Sequence, residues 1–201
     1  MGNGAKMEIE SVFLHDLVDI SPFAHMGKEH YNQYKIAPDG IELKWKKSRG
    51  KWGVSNSTIP KQVPGSISIY NHPIYERLHI IVRKHLEKEY KVRLYPTYYF
   101  ERVYTNGQGL SPHVDRGACE WSVSLHISSS IDELCTWPIY FEHKNGIEKY
   151  NSVPGDAVLY NGTEVKHWRE PLNCGPDQYY HQLFLHYVNA DGKYCQHAFD
   201  R

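Results

Sequence analysis

The sequence predicts a mainly β protein of the sandwich or barrel type, and three observations carry that expectation. From Val92 onward, short runs rich in aromatic and β-branched residues follow one another with turn residues between them, the pattern of stacked or closed antiparallel strands. One run, Ser122–Ser128, alternates strictly, with Val123, Leu125 and Ile127 on one face and Ser122, Ser124, His126 and Ser128 on the other. A single clear helix precedes these strands, and there is no internal repeat or second domain.

Taken in order, residues 8–35 have helical character. Val12, Phe13, Leu17, Ile20 and Phe23 suit one face of a short helix or two, broken at Pro22 and packed outside the β core. Residues 36–70 are rich in Lys, Gly, Ser and Pro and read as loop with one or two short strands. Long loops of this kind are often lids, and the sequence leaves open whether this one covers a site. Asn71-His-Pro73 then opens the clearest helix, with a cap at Asn71 or His72. Ile74, Leu78, Ile81, Val82 and Leu86 recur there at helical spacing, and the basic end with Arg83, Lys84 and Lys88 suits a helix C-terminus. Strands follow at Val92–Tyr95, Thr97–Tyr104, Trp121–Ser128, Trp137–Glu142, Ile147–Tyr150, Ala157–Tyr160 and His181–Val188, with a turn at Lys144-Asn-Gly146. The organisation expected is one domain over residues 1–201, with an N-terminal helix and loop region at 1–70 and a helix plus β core at 71–201.

Composition excludes several classes. Lys+Arg and Asp+Glu are both 23, so the chain lacks the basic stripe of a nucleic-acid binder. No apolar run is long enough to span a bilayer. Met1–Lys6 has no apolar signal core, Lys6 breaks the myristoylation pattern, and Met7 is a candidate natural start. Cys119, Cys135, Cys174 and Cys195 form no Cys-x-x-Cys pair, so free thiols in a reducing cytoplasm are expected.

The chemistry concentrates in Leu110-Ser-Pro-His113-Val-Asp115 and in His167. His113 and Asp115 are two apart, so an extended strand places them on one face. Two imidazoles and one carboxylate make the facial triad that holds Fe(II) and leaves positions open. Any one of these residues alone reads as an ordinary surface or core side chain. Upstream, if Tyr104 points inward, so do Arg102, Phe100 and Tyr98 by alternation, which makes Arg102 a buried-cation candidate. The polar face of Ser122–Ser128 is either a solvent face or a pocket wall. Trp121 and Trp168 face away from the metal by parity and read as packing.

Tyr104-Thr-Asn-Gly107 followed by His113-Val-Asp115, then Gly155-Asp156 before an apolar strand and His167, with Pro171 beyond, resembles the 2-oxoglutarate- and Fe(II)-dependent oxygenases, in particular their prolyl-hydroxylase-like branch. The resemblance covers roughly residues 72–190. It implies a double-stranded β-helix, or jelly roll, with iron on His113, Asp115 and His167, 2-oxoglutarate as cosubstrate and O₂ as co-reactant. It implies that Tyr104 and His126 reach the cosubstrate. The family usually supplies an Arg or Lys at the start of the last core strand, and this chain departs from that, with His181 at the aligned position. Arg169, two residues past His167 and so on the same face, is the first choice for the far carboxylate, with His181 as helper and Arg102 as a second candidate. Arg116 at the site mouth, Arg102 and Tyr98 are the substrate-binding candidates.

The expected reaction is hydroxylation of an unactivated C–H in a small metabolite, amino acid or peptide residue such as prolyl, with release of succinate and CO₂. Halogenation is disfavoured, because Asp115 takes the position a halide would need. Two other classes remain: a cupin-like or zinc metalloenzyme without an oxo acid, and a β-sandwich binding module with incidental histidines.

Overall fold

Alternating apolar positions along the strands produce two sheets, each with one face turned toward the other. The computed structural model describes residues 9–131 and 136–200. In chain order come β1 (Ser11–Leu14), α1 (Met26–Tyr34), β2 (Ile41–Ser48), β3 (Lys51–Thr58), β4 (Ile67–Tyr70), α2 (Glu76–Tyr90) and β5 (Leu94–Thr105). There follow β6 (Leu110–His113), β7 (Trp121–Ser129), β8 (Ile139–His143), β9 (Gly146–Tyr150), β10 (Ala157–Tyr160), β11 (Lys166–Arg169) and β12 (Tyr179–Asn189). The larger sheet runs β1-β10-β7-β12-β5-β4-β2-β3 and the smaller β6-β11-β8-β9, with β2 and β4 the parallel neighbours.

The two faces of the larger sheet do different work. On the outer face, Tyr99, Val123, Leu125, Leu183, Leu185 and Tyr187 meet Leu78, Val82 and Leu86 of α2 in the main apolar core. The inner face carries Tyr98, Phe100, Tyr104, Tyr180 and Phe184, which close over Trp137, Leu110 and Leu172. Ser122, Ser124 and His126 are buried on the inner face, so that polar run is interior, not solvent-facing; Ser128, beyond a register shift, is buried on the outer face beside His181 and Gly27 of α1.

Several elements differ from the sequence reading. Ser11–Leu14 is a strand, not helix, because Val12 and Phe13 pair antiparallel with Leu159 and Val158 at the edge of the larger sheet. Pro22 lies inside a short 3-10 turn, Ser21–Phe23, and α1 begins only at Met26. The supposed loop at 36–70 holds three strands. β2 and β3 form a hairpin whose turn residues Arg49 and Gly50 both take positive φ (48° and 79°), the turn geometry that matches strand twist. Both faces of β3 are largely exposed, so neither alternation nor apolar content betrayed it. Pro96 sits within a continuous β5, opposite an irregularity in β12 between Leu185 and Tyr187. Pro73–Tyr75 is a separate 3-10 turn before α2, and neither it nor α2 has a side-chain cap. Asn71 instead accepts the Tyr99 backbone N–H at 3.3 Å. Ile81 is 45% exposed, while His79 takes a buried place on the helix.

No described helix is long and apolar enough to cross a membrane. The readings made for Met1–Met7 and for Cys135 fall outside the described residues. Cys119 and Cys195 are free thiols.

Candidate metal centre

β6 and β11 are antiparallel neighbours in the smaller sheet, with His113 directly opposite His167. Asp115 lies just past the end of β6, where its backbone N–H donates to the Gly162 carbonyl at 2.7 Å. That bond curls the chain so that the carboxylate turns back toward both rings. Asp115 Oδ1 is 3.4 Å from His113 Nε2 and 3.8 Å from His167 Nε2, and the imidazole centroids are 4.4 Å apart. One donor atom from each of the three residues lies within 4.8 Å of the others.

The tautomers suit a metal. His113 Nδ1 donates to the Ser111 carbonyl at 2.8 Å and His167 Nδ1 to the Val165 carbonyl at 3.0 Å. Each proton is thereby fixed on Nδ1, leaving the Nε2 lone pair turned toward Asp115, the outer bonding that metal-ligating histidines show. Burial alone would raise the Asp115 carboxyl, but the facing His113, His167 and His186 rings hold it below its usual value. Burial lowers His167. At His113 burial is outweighed by the neighbouring Asp115 carboxylate and the bond to Ser111, which raise it. This donor set fits a divalent cation with open positions.

The triad opens on a cavity of about 300 Å³. Tyr98, Phe100, Phe184 and Tyr70 make one wall, with Phe100 and Phe184 stacked at 4.6 Å. Arg116 stands at the rim, its guanidinium 4.6 Å from the Tyr98 ring and its Nη1 donating to Asp200 at 2.6 Å. Arg102 lines the same cavity and is 1% exposed. Its Nε donates to Ser68 Oγ at 2.9 Å, its Nη2 to Gln62 Oε1 at 3.0 Å and its Nη1 to Tyr104 Oη at 3.4 Å.

Arg169 is equally buried, and it lines a neighbouring cavity of about 390 Å³ that shares Gln62 and Leu110 with the first. Its guanidinium lies between Trp137 (4.5 Å) and Tyr180 (5.3 Å), with Nη1 donating to the Trp137 carbonyl. Nε has no hydrogen-bond partner among the described residues. Tyr104 stands edge-on to Trp137 at 4.8 Å. Trp168 stacks on Tyr140 at 5.4 Å, and Trp121 is buried in the outer core, so neither faces the metal centre.

One expectation is corrected. His181 is on the outer face of the larger sheet, where its Nε2 donates to Glu101 at 2.8 Å, so it cannot help hold a ligand inside. It shares strand parity with Tyr187, which is itself outward and donates to the His79 carbonyl; the inward residue is Tyr180. His126 is interior, but its Nδ1 donates to the Ser152 carbonyl at 2.8 Å, and burial lowers its pKa to about 4. Its Nε2 has no hydrogen-bond partner among the described residues.

Sequence reasoning missed Gln62 and His186, and named Ser122 only as part of a polar strand face that could wall a pocket. Gln62 Nε2 donates to His113 Nε2 at 3.2 Å. Ser122 Oγ is 3.4 Å from Asp115 Oδ2 and 2.9 Å from His186 Nδ1. The parity of Phe184 would have found His186; nothing local marks Gln62, which arrives on an irregular segment.

No family model matches the sequence, and no curated protein does. Among solved structures, the chain is similar to a prolyl-4-hydroxylase from Pseudomonas putida, with TM-score 0.63 and 11% identity over 90% of this chain and 94% of that one. It is similar to the viral collagen prolyl hydroxylase of Paramecium Bursaria Chlorella virus-1 in its 2-oxoglutarate complex (TM-score 0.58, 10% identity, 92% and 98% covered). It is also similar to SnoN, a non-heme α-ketoglutarate-dependent epimerase from nogalamycin biosynthesis (0.63, 10%, 90% and 78%). At these identities the likeness is one of fold, the double-stranded β-helix.

Proposed function

We propose that this chain, which has the fold of the 2-oxoglutarate- and Fe(II)-dependent oxygenases, is itself a 2-oxoglutarate- and Fe(II)-dependent dioxygenase that hydroxylates a C–H of a small molecule or a peptide residue. The observation that carries the reading is the triad: His113, Asp115 and His167 converge with both Nε2 lone pairs directed inward and both Nδ1 protons committed to backbone carbonyls. His113, Asp115 and His167 would hold iron. Bound there, iron with 2-oxoglutarate supplies the activation of O₂ that oxidises a substrate C–H and releases succinate and CO₂.

The protein's part is orientation and exclusion of water. Arg169 is the reading for the far carboxylate of the oxo acid. It shares a face of β11 with His167 one pleat further on, is fully buried, and has no acidic partner among the described residues. A buried guanidinium without a counter-charge is costly, and its fork suits a carboxylate. Tyr104, Tyr180 and Trp137 wall that site, while Tyr98, Phe100 and Phe184 give the metal cavity an apolar side that keeps water from the reacting carbon.

The test is an anaerobic titration with Fe(II), then 2-oxoglutarate, followed in the visible spectrum. A weak charge-transfer band that needs both additions is the expected result. Arg169→Ala should weaken oxo-acid binding by about 10- to 100-fold, the loss of a charge-assisted pair of about 1.5–3 kcal/mol, with iron affinity nearly unchanged. Iron binding without a band would overturn the cosubstrate assignment and favour a cupin-like enzyme.

A further inference from the structure

We propose that Arg102 is a second anion subsite, which receives a carboxylate carried by the primary substrate, so that the enzyme acts on a small carboxylic acid whose body lies on the aromatic wall. This rests on the oxygenase reading for the word substrate, but the subsite itself stands on the geometry of Arg102.

Arg102 and Arg169 are both buried to within 2% of full enclosure, and neither has a carboxylate partner among the described residues. One oxo acid has one far carboxylate, so it answers one of them. A divalent metal, Asp115, a dianionic oxo acid and the two guanidinium groups would together leave the site one positive charge in excess. A monoanionic substrate brings it to neutrality, and uncompensated buried charge is what interiors avoid.

Arg102 is the cation placed to meet a substrate. It opens into the metal cavity itself, whereas Arg169 lines the adjoining one. The Phe100 ring is 5.2 Å from its guanidinium carbon, continuing into the stack of Tyr70, Phe100 and Phe184. A flat or compact hydrocarbon body would lie on those rings with its acid group on Arg102. All three acceptors now facing Arg102 are neutral, and the Tyr104 contact is long at 3.4 Å.

Gln62 stands in the substrate's place. Its Oε1 accepts a hydrogen bond from Arg102 Nη2, and its Nε2 donates to the His113 nitrogen that the triad turns inward. A lone pair given to a metal accepts no hydrogen bond, so filling the triad removes half of what holds Gln62. Its other half is a neutral amide oxygen, a weaker partner for a guanidinium than a carboxylate.

The experiment uses cyclopentanecarboxylate and its uncharged analogue cyclopentanecarboxamide as probes, titrated calorimetrically into the whole protein with and without Fe(II) and 2-oxoglutarate under argon. The expected result is that the carboxylate binds at least tenfold more tightly than the amide. Arg102→Gln should erase that difference while changing 2-oxoglutarate affinity less than threefold, and Gln62→Ala, which leaves the fold's core untouched, should tighten the carboxylate at least threefold. Equal binding of the two probes, no binding of either, or loss of 2-oxoglutarate binding in Arg102→Gln with none in Arg169→Ala would overturn the proposal. If the carboxylate binds through Arg102 but 2-oxoglutarate does not bind, the subsite stands and the oxygenase reading falls.

Discussion

At the residue scale, the triad depends on a neighbour with no side chain. A Cβ on Gly162 would come within 2.6 Å of Asp115 Oδ2, 2.4 Å of the Cys119 carbonyl and 2.8 Å of Ser122 Oγ. The Gly162 carbonyl also anchors the Asp115 N–H. Two of those contacts are with groups that cannot swing away without moving Asp115 or the chain below it. Gly162→Ala is therefore expected to weaken Fe(II) binding by at least tenfold while the protein stays folded, as read by metal titration beside circular dichroism. Metal binding equal to wild type would show that Asp115 is not held by this close approach.

At the element scale, α1 is pinned to the outer face of the larger sheet by a buried acid. Glu101 on β5 receives the Tyr75 hydroxyl at 2.9 Å and His181 at 2.8 Å, with His30 of α1 at 3.2 Å. Burial alone would raise the Glu101 carboxyl; the bond from His181 and the nearby His30 ring overcome it and hold the carboxyl well below its usual value of 4.5. A carboxyl depressed in the fold adds stability that is fully present above the unfolded value and is lost as pH falls below it. Stability should thus decline as pH drops below about 4.5. Glu101→Gln, which removes a buried charged acceptor, should cost about 1–3 kcal/mol near neutrality and flatten that acid limb in denaturant titrations at stepped pH. A variant with the wild-type pH profile would remove Glu101 from this role.

At the scale of the whole molecule, the site is a joint between the two sheets. His113, His167 and Arg169 come from the smaller sheet, and Arg102, Phe100, Phe184 and Tyr180 from the larger. Ligands that engage both should stabilise the assembled pair and not the unfolded chain. At concentrations near 100 times Kd, Fe(II) with 2-oxoglutarate should add about 2.7 kcal/mol, or about 5–11 °C in Tm for a chain of this size. His167→Ala should abolish the shift in differential scanning fluorimetry. A shift that survives in the variant would place ligand binding elsewhere.

The sequence by itself determined what depends on neighbours along the chain. Period-two alternation put Tyr98, Phe100, Arg102 and Tyr104 on one face and identified the strands around them, and the His113-x-Asp115 spacing with His167 marked the donor set. Those are local properties, because a strand's side chains alternate whatever it pairs with. Only the tertiary structure decided which side of each strand faces inward, which surface runs are paired edges, and what crosses between segments. The exposed β2–β3 hairpin has no core pattern to read. His181 looked suitable by alignment and faces the opposite way from Tyr180. Gln62 joins Arg102 to His113 across 40 and 51 residues of sequence. Such contacts are set by how the sheets close on each other, and closure is a property of the packed core rather than of any one stretch of chain.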